Sequence, residues 1–238
     1  MVRGGYNDII AIAGCGGNGQ FAAQILSSMG YSLILIDGDD VDETNLHRQP
    51  LFSVEDMGRN KAMVCSEKIS LLNGTSSATA IGEYVDSYNV ESILGDAGLI
   101  IDATDSFRTR ELINEFSVRH NIPMIFSSSF GSIGQIKCII PHVTSCLHCL
   151  TGEHVLNPLN CHNDGVLPYV PQITSASIAG FADKILKGGE EDGKLYIFNF
   201  NGFTMDQFDV KRRPDCSVCG KGIYVYMDDK KFRGRQFL

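Results

Sequence analysis

The chain has 238 residues, is 43% hydrophobic and 20% charged, and carries a formal net charge of −8. That size supports a sizeable core in one large α/β domain or two small ones, and the acidic balance excludes general nucleic-acid binding. No apolar run approaches membrane-spanning length and no signal-peptide pattern opens the chain, so the expected location is cytoplasmic.

Ile9 to Ala13 is a short β-rich apolar run that ends at a glycine loop, Gly14-Cys-Gly-Gly-Asn-Gly19. Gln20 to Met29 reads as a helix, and Tyr31 to Ile36 as a buried strand closed by Asp37, which completes a right-handed βαβ unit. A helix over Asn60 to Leu72 ends at Asn73-Gly74. It is followed by a strand at Ala78 to Ile81, a short helix at Val90 to Leu94, a buried strand at Gly98 to Asp102, a helix at Thr109 to His120 and a parallel strand at Pro123 to Ser127. After Gly131 the pattern changes: Gly134 to Ile140 and Leu195 to Phe200 predict antiparallel additions to the sheet. Leu156 to Gln172 is rich in Asn, Pro and Gly and predicts a long ordered loop, the kind that more often carries function than not; Ile173 to Leu186 predicts a helix. The expected fold is α/β, a Rossmann-like mixed sheet with a parallel N-terminal half and an antiparallel C-terminal extension. No linker or repeat interrupts it, so residues 1–238 read as one domain, with a nucleotide-binding half over about 1–130, a second half over about 131–220 and a basic tail over 221–238. The tail's Lys230, Lys231, Arg233 and Arg235 read as solvated residues without a function.

The glycines at 14, 16, 17 and 19 lie between a strand and a helix, where backbone approaches a phosphate or ribose closely and the helix start offers free N–H groups. Asp37 is placed to hold ribose hydroxyls. These features do not separate ATP from NAD or FAD. Downstream segments do: Asp37 to Gln49, Gly58 to Ala62 and Asp102 to Asp105 put many polar groups at strand ends, and Arg48 and Lys61 supply cations that a triphosphate needs more than a dinucleotide does. Asp105 is a candidate Mg²⁺ ligand, while Asp42, Glu43 and Asp56 read as helix caps. Of the eight cysteines, four form two C-x2-C knuckles, Cys146/Cys149 and Cys216/Cys219, which suit one structural Zn²⁺ and a reducing compartment. Cys15, Cys65 and Cys138 read as small packing residues.

With these residues in view, the chain resembles the E1-like adenylyltransferases (ThiF/MoeB/HesA type) that activate ubiquitin-like sulfur carriers. The resemblance runs from about Ile9 to Gly220. It rests on the G-x-G-G-x-G loop, on a D-x-D…N-L-x-R-Q run at Asp37, Asp39, Asn45, Leu46, Arg48 and Gln49, on Lys61, on Thr104-Asp105 and on both knuckles. It implies that Asp37 holds the ribose, that Asn45, Arg48 and Lys61 meet the phosphates, and that Asp105 holds Mg²⁺ with Ser106 beside it. It also implies zinc at the four cysteines, ATP as substrate, a carrier protein ending in Gly-Gly as partner, and a homodimer. Asn160 to Pro168 matches the family's crossover segment and carries Cys161, which forms a covalent bond to the carrier in some relatives; the alternative for Cys161 is a loop cysteine with no chemical step or one used only for positioning.

Three departures from the family pattern stand out. Relatives carry an N-terminal helical segment whose arginine reaches the partner subunit's ATP, and Arg3 does not match it. Ser106 stands where asparagine is usual. No rhodanese-like domain is seen, so a separate sulfur donor is expected. The competing readings are a non-catalytic E1-like scaffold subunit, an E1-like enzyme acting on another carboxylate or a tRNA base, and an NAD-dependent oxidoreductase; the last leaves Arg48, Lys61 and the knuckles without a task.

Overall fold

The computed structural model describes residues 7–72, 77–152 and 165–229. Among them the chain runs β1 (Ile9–Ala13), α1 (Gly17–Ser28), β2 (Ser32–Ile36), two 3-10 turns (Glu43–Arg48 and Val54–Asp56), α2 (Lys61–Leu72), β3 (Ala78–Ile81), α3 (Val90–Leu94), β4 (Leu99–Asp102), α4 (Phe107–His120), β5 (Met124–Phe130), β6 (Ile133–Ile139), α5 (Leu147–Thr151), α6 (Tyr169–Leu186), β7 (Leu195–Asn199), β8 (Thr204–Phe208) and α7 (Val225–Asp228). The strands described form one sheet in the order β3-β2-β1-β4-β5-β6-β7-β8. Pairing is parallel from β3 to β5 and antiparallel from β5 to β8, the mixed sheet expected.

Strand alternation divides the core into two layers. Ile10 and Ile12 of β1 point into one layer, with Ala22, Ala23 and Leu26 of α1, Ala62, Val64 and Cys65 of α2, and Ile178 and Ala182 of α6. Ala11 and Ala13 point into the other, with Leu112, Ile113 and Phe116 of α4 and Cys146, Cys216 and Cys219. Cys15, Cys65 and Cys138 are wholly buried in the first layer, as their packing role required. The second layer therefore holds the metal-type cysteines, and the first holds the inert ones.

Among the differences from the sequence reading, two have a clear physical reason. Helix α6 begins at Tyr169, inside the segment read as loop, because Pro171 sits in its first turn, where a missing N–H costs nothing and φ is already helical. β8 was not anticipated: all five of its residues are exposed, so it lacks the apolar alternation by which strands are recognised. Among the described residues no helix is long and apolar enough to cross a membrane.

Candidate active site

β1 lies between β2 and β4, so the connections leaving it diverge and open a crevice at the strands' carboxyl ends. The glycine turn, Asp37, the Ala103–Asp105 turn and Ser127 all sit at that edge and line a cavity of about 660 Å³, a size suited to a small-molecule ligand. The turn is dictated by close backbone approach. Gly14 has φ +91°, and a Cβ on it would lie 2.6 Å from the Ala103 carbonyl oxygen; one on Gly19 would lie 1.8 Å from the oxygen of Gly14. Only glycine fits either position.

Asp37 is held by its neighbours. Its two oxygens accept the backbone N–H groups of Cys15 (2.7 Å) and Asp39 (2.8 Å). Burial raises the Asp37 carboxyl above its ordinary range, and the Lys61 charge and these two bonds oppose that rise. Asn60 donates to the carbonyls of Asp37 (2.9 Å) and Asp39 (3.2 Å) and so ties the start of α2 to the end of β2. Lys61, itself 6% exposed, bonds Asp39 at 3.1 Å, and Tyr84 donates its hydroxyl to the same carboxylate.

The 3-10 turn over Glu43–Arg48 is capped by Asp42, which accepts the Thr44 N–H at 2.8 Å, and Asp56 closes the next turn in a capping box with Ser53. Both carboxylates thus act as the caps expected. Arg48 donates to Asn45 Oδ1 and to the Thr44 carbonyl. Gln49 is buried against Gly16, and its Oε1 has no hydrogen-bond partner among the described residues. A polar atom buried beside a ligand cavity without a partner is suited to a ligand donor.

On the opposite wall, Asp102 is wholly buried, with Thr104 donating twice to its Oδ1 (3.0 and 2.7 Å). Arg110 Nε stands 3.7 Å from Asp102 Oδ2 and donates to the Thr104 carbonyl at 3.1 Å, while its guanidinium lies 4.9 Å over the Phe126 ring. That lattice fixes the turn carrying Asp105, which is exposed and faces the cavity. Ser106 caps α4 by accepting the Thr109 N–H at 3.3 Å.

Every nucleotide-site residue named from the sequence that falls among the described residues borders this cavity except Gly19, whose place is in the turn beneath it. Cys161 lies outside the described residues, as do Arg3 and residues 230–238 with the basic cluster Lys230, Lys231, Arg233 and Arg235; the first part of the segment read as a tail, 221–229, carries α7. Sequence reasoning passed over Asn18, Asn60, Tyr84 and Arg110. Asn60 stands next to Lys61 and was within reach of the motif; Arg110 was hidden in an ordinary amphipathic helix. Asn18 occupied a variable position of the loop, yet it bonds Ser127 (3.3 Å) and Ser129 (2.7 Å) and so locks the turn to β5.

The four knuckle cysteines converge, their sulfurs all within 4.8 Å of one another. The sulfurs are 3.9 Å apart for Cys146–Cys149, 3.8 Å for Cys146–Cys216 and 3.4 Å for Cys149–Cys219. Tetrahedral zinc with Zn–S near 2.3 Å requires S···S of about 3.8 Å, so the donor set fits the ion. α4 supports the knuckle: Asn114 accepts the Leu147 N–H at 2.9 Å, and Glu111 accepts the Thr151 hydroxyl at 2.8 Å and meets His148 at 3.3 Å. The hydrogen bond within the knuckle holds the Cys149 thiol below the ordinary thiol range, while the same bond and burial push the Cys146 thiol up.

A model of the ThiF family matches residues 7–218. The chain belongs to this family. It is 32% identical over 214 residues to the sulfur carrier protein ThiS adenylyltransferase of Escherichia coli K12, covering 89% of this chain and 85% of that one. It is 30% identical over 225 residues to the SAMP-activating enzyme E1 of Haloferax volcanii, covering 92% and 83%. Among solved structures it is similar to E. coli MccB with ATP, at 27% identity and a TM-score of 0.79 over 90% of this chain and 68% of that one. It spans about two thirds of the MccB chains and 50% of a maize adenylyltransferase and sulfurtransferase.

Proposed function

We propose that this chain binds ATP in the cavity at the β1–β4 switch point and adenylates the C-terminal glycine of a ubiquitin-like sulfur-carrier protein. The observation that supports this most is the meeting, in a ThiF-family chain, of the glycine turn, a fixed Asp37 and the cations Arg48 and Lys61 on one cavity. In this reading Gly14, Gly16 and Gly17 admit the nucleotide, Asp37 takes the ribose hydroxyls, and Asn45, Arg48, Gln49 and Lys61 face the phosphates. The carrier's carboxylate is already ionised, so its oxygen attacks the α-phosphorus without a general base. The bond to the bridging oxygen breaks, its electron pair leaves with pyrophosphate, and an acyl-adenylate forms. The protein's task is to orient the groups in line and to stabilise charge, as in phosphoryl transfer generally.

Besides the cations, the cavity is lined by Asp37, Asp39, Asp40, Asp42, Glu83 and Asp105, a poor setting for a naked triphosphate. Mg²⁺ held by the exposed Asp105 would neutralise phosphate charge there. Zinc at the cysteines would be structural, joining the segment at 146–149 to the segment at 216–219. The finer readings are a homodimer, a cytoplasmic location and a separate sulfur donor. Cys161 is carried on the resemblance alone: if it bonds to the carrier, Cys161→Ser keeps adenylation and loses onward transfer, with the adduct absent by mass spectrometry.

ATP–pyrophosphate exchange tests the proposal. Exchange that requires a carrier's terminal Gly-Gly supports it. Exchange with a free peptide terminus instead would move the substrate class, a reading favoured by the likeness to MccB solved with MccA. No exchange with any carboxylate favours a scaffold, and preferential NAD binding overturns the nucleotide assignment.

A further inference from the structure

Lys137 is a lysine in the middle of β6 with 0% exposure. Alternation fixes where it points. Its neighbours Ile136 and Cys138 belong to the helix α1/α6 layer, whereas Ile139, two residues on, packs in the layer that contains Cys146, Cys216 and Cys219. Lys137 pairs with Phe126 and Leu195 across the sheet, and Leu195 lines a surface groove together with Cys149 and Arg213. The ammonium donates to the Gly193 carbonyl. Gly193 in turn sits so close to Thr144 that a Cβ on it would lie 2.5 Å from the Thr144 side chain, two residues before Cys146.

No carboxylate forms an ion pair with Lys137 among the described residues. Asp192 acts on it from a distance and is itself 3.0 Å from Lys194. The other groups that favour its charge are thiols, Cys138, Cys149 and Cys146, and burial opposes it. A buried ammonium with one carbonyl partner is unfavourable unless a negative charge faces it. Four thiolates on one Zn²⁺ carry a net charge of −2. Arg213 supplies a second cation: the Cys216 sulfur favours its charge, and it donates to the His148 carbonyl at 3.4 Å.

We propose that Lys137 is the internal counter-ion of the zinc centre, holding one of the two positive charges that balance the tetrathiolate, with Arg213 holding the other. Lys137 thereby favours the zinc-bound centre over the metal-free one, and the metal accounts for a lysine in the core of a sheet. This rests on zinc at the four cysteines and is independent of the adenylation chemistry.

The test uses the full chain, loaded with zinc, in competition with a chromophoric chelator, comparing wild type with K137M, K137Q and K137R. K137Q keeps a hydrogen-bond donor for Gly193 and removes the charge; K137R keeps both. Loss of the charge should weaken zinc binding about tenfold or more in K137M and K137Q, in the range for residues behind a metal's ligands, while K137R stays near wild type. With Co²⁺ in place of zinc, the thiolate charge-transfer band should shift in K137Q. Zinc retention by K137Q equal to wild type, with an unmoved cobalt spectrum, would reduce Lys137 to a strut for Gly193 and overturn the proposal. If K137M does not fold, K137Q against K137R decides. A wild type that neither arrives with zinc nor takes it up removes the centre itself and the proposal with it, while leaving pyrophosphate exchange as a separate result.

Discussion

The Lys61 ammonium stands 3.1 Å from the Asp39 carboxylate, which also accepts the Tyr84 hydroxyl. The cation is thus held at the cavity wall by a residue of the same Asp37–Gln49 run, before any ligand arrives. Such preorganisation is worth most where charge develops during reaction. Lys61→Ala should lower kcat/KM for carrier-dependent exchange by about 2–4 kcal/mol of transition-state stabilisation, with little change in thermal stability. A near-normal exchange rate in this variant would remove Lys61 from the chemistry.

The turn itself is testable through Gly19, where an added methyl would overlap the Gly14 carbonyl oxygen at 1.8 Å. Backbone cannot yield there without moving the start of α1. Gly19→Ala should destabilise the fold by about 3 kcal/mol or more, seen as a lowered midpoint in urea unfolding, and should abolish nucleotide binding. A variant with wild-type stability would mean that this turn is not as tight as described.

The parallel half was legible because each strand is a short apolar run next to a punctuation residue, and because the nucleotide motifs occupy strand ends in a fixed order. Cys146, Cys149, Cys216 and Cys219 were legible from spacing alone, and their sulfurs do converge. Hidden were the features set by tertiary contact: Arg110 looks like any helix-surface arginine until Asp102 and Phe126 are placed beside it. Lys137 was invisible for a related reason, since a lysine within an apolar strand reads as outward-facing. β8 escaped because it is held by pairing with β7 and not by burial.

At the cysteine centre, Cys149 is less deeply buried than the other three, so its replacement removes a ligand with the least loss of packing. Cys149→Ser should bring zinc content well below one per chain and lower the thermal midpoint markedly, because binding energy at a structural zinc is folding energy. Chelation of wild-type protein should reproduce the shift. Full zinc occupancy in Cys149→Ser would contradict the four-sulfur assignment.

The last prediction concerns Glu115 of α4, 1% exposed, which accepts the Met227 N–H at 2.9 Å and also faces the N–H groups of Val225 and Tyr226 at the start of α7. Burial raises its pKa from 4.5 to about 7; those N–H bonds oppose the rise and the Glu111 charge adds to it. The native state therefore binds the proton more tightly than the unfolded chain does. Glu115 contributes its full stability below about pH 4.5, and the contribution falls as pH rises through 7. Linkage puts the total loss at about 3 kcal/mol. Glu115→Gln does not titrate but keeps an acceptor for the α7 N–H groups. Titrating residues that do not face Glu115 are common to both proteins and largely cancel in the comparison. The unfolding free energy of wild type minus that of Glu115→Gln should decline between about pH 4.5 and 8 and be flat above that range. A difference that stays level, or rises with pH, would show that the carboxylate is solvated or paired with a cation and that α7 is held by other contacts.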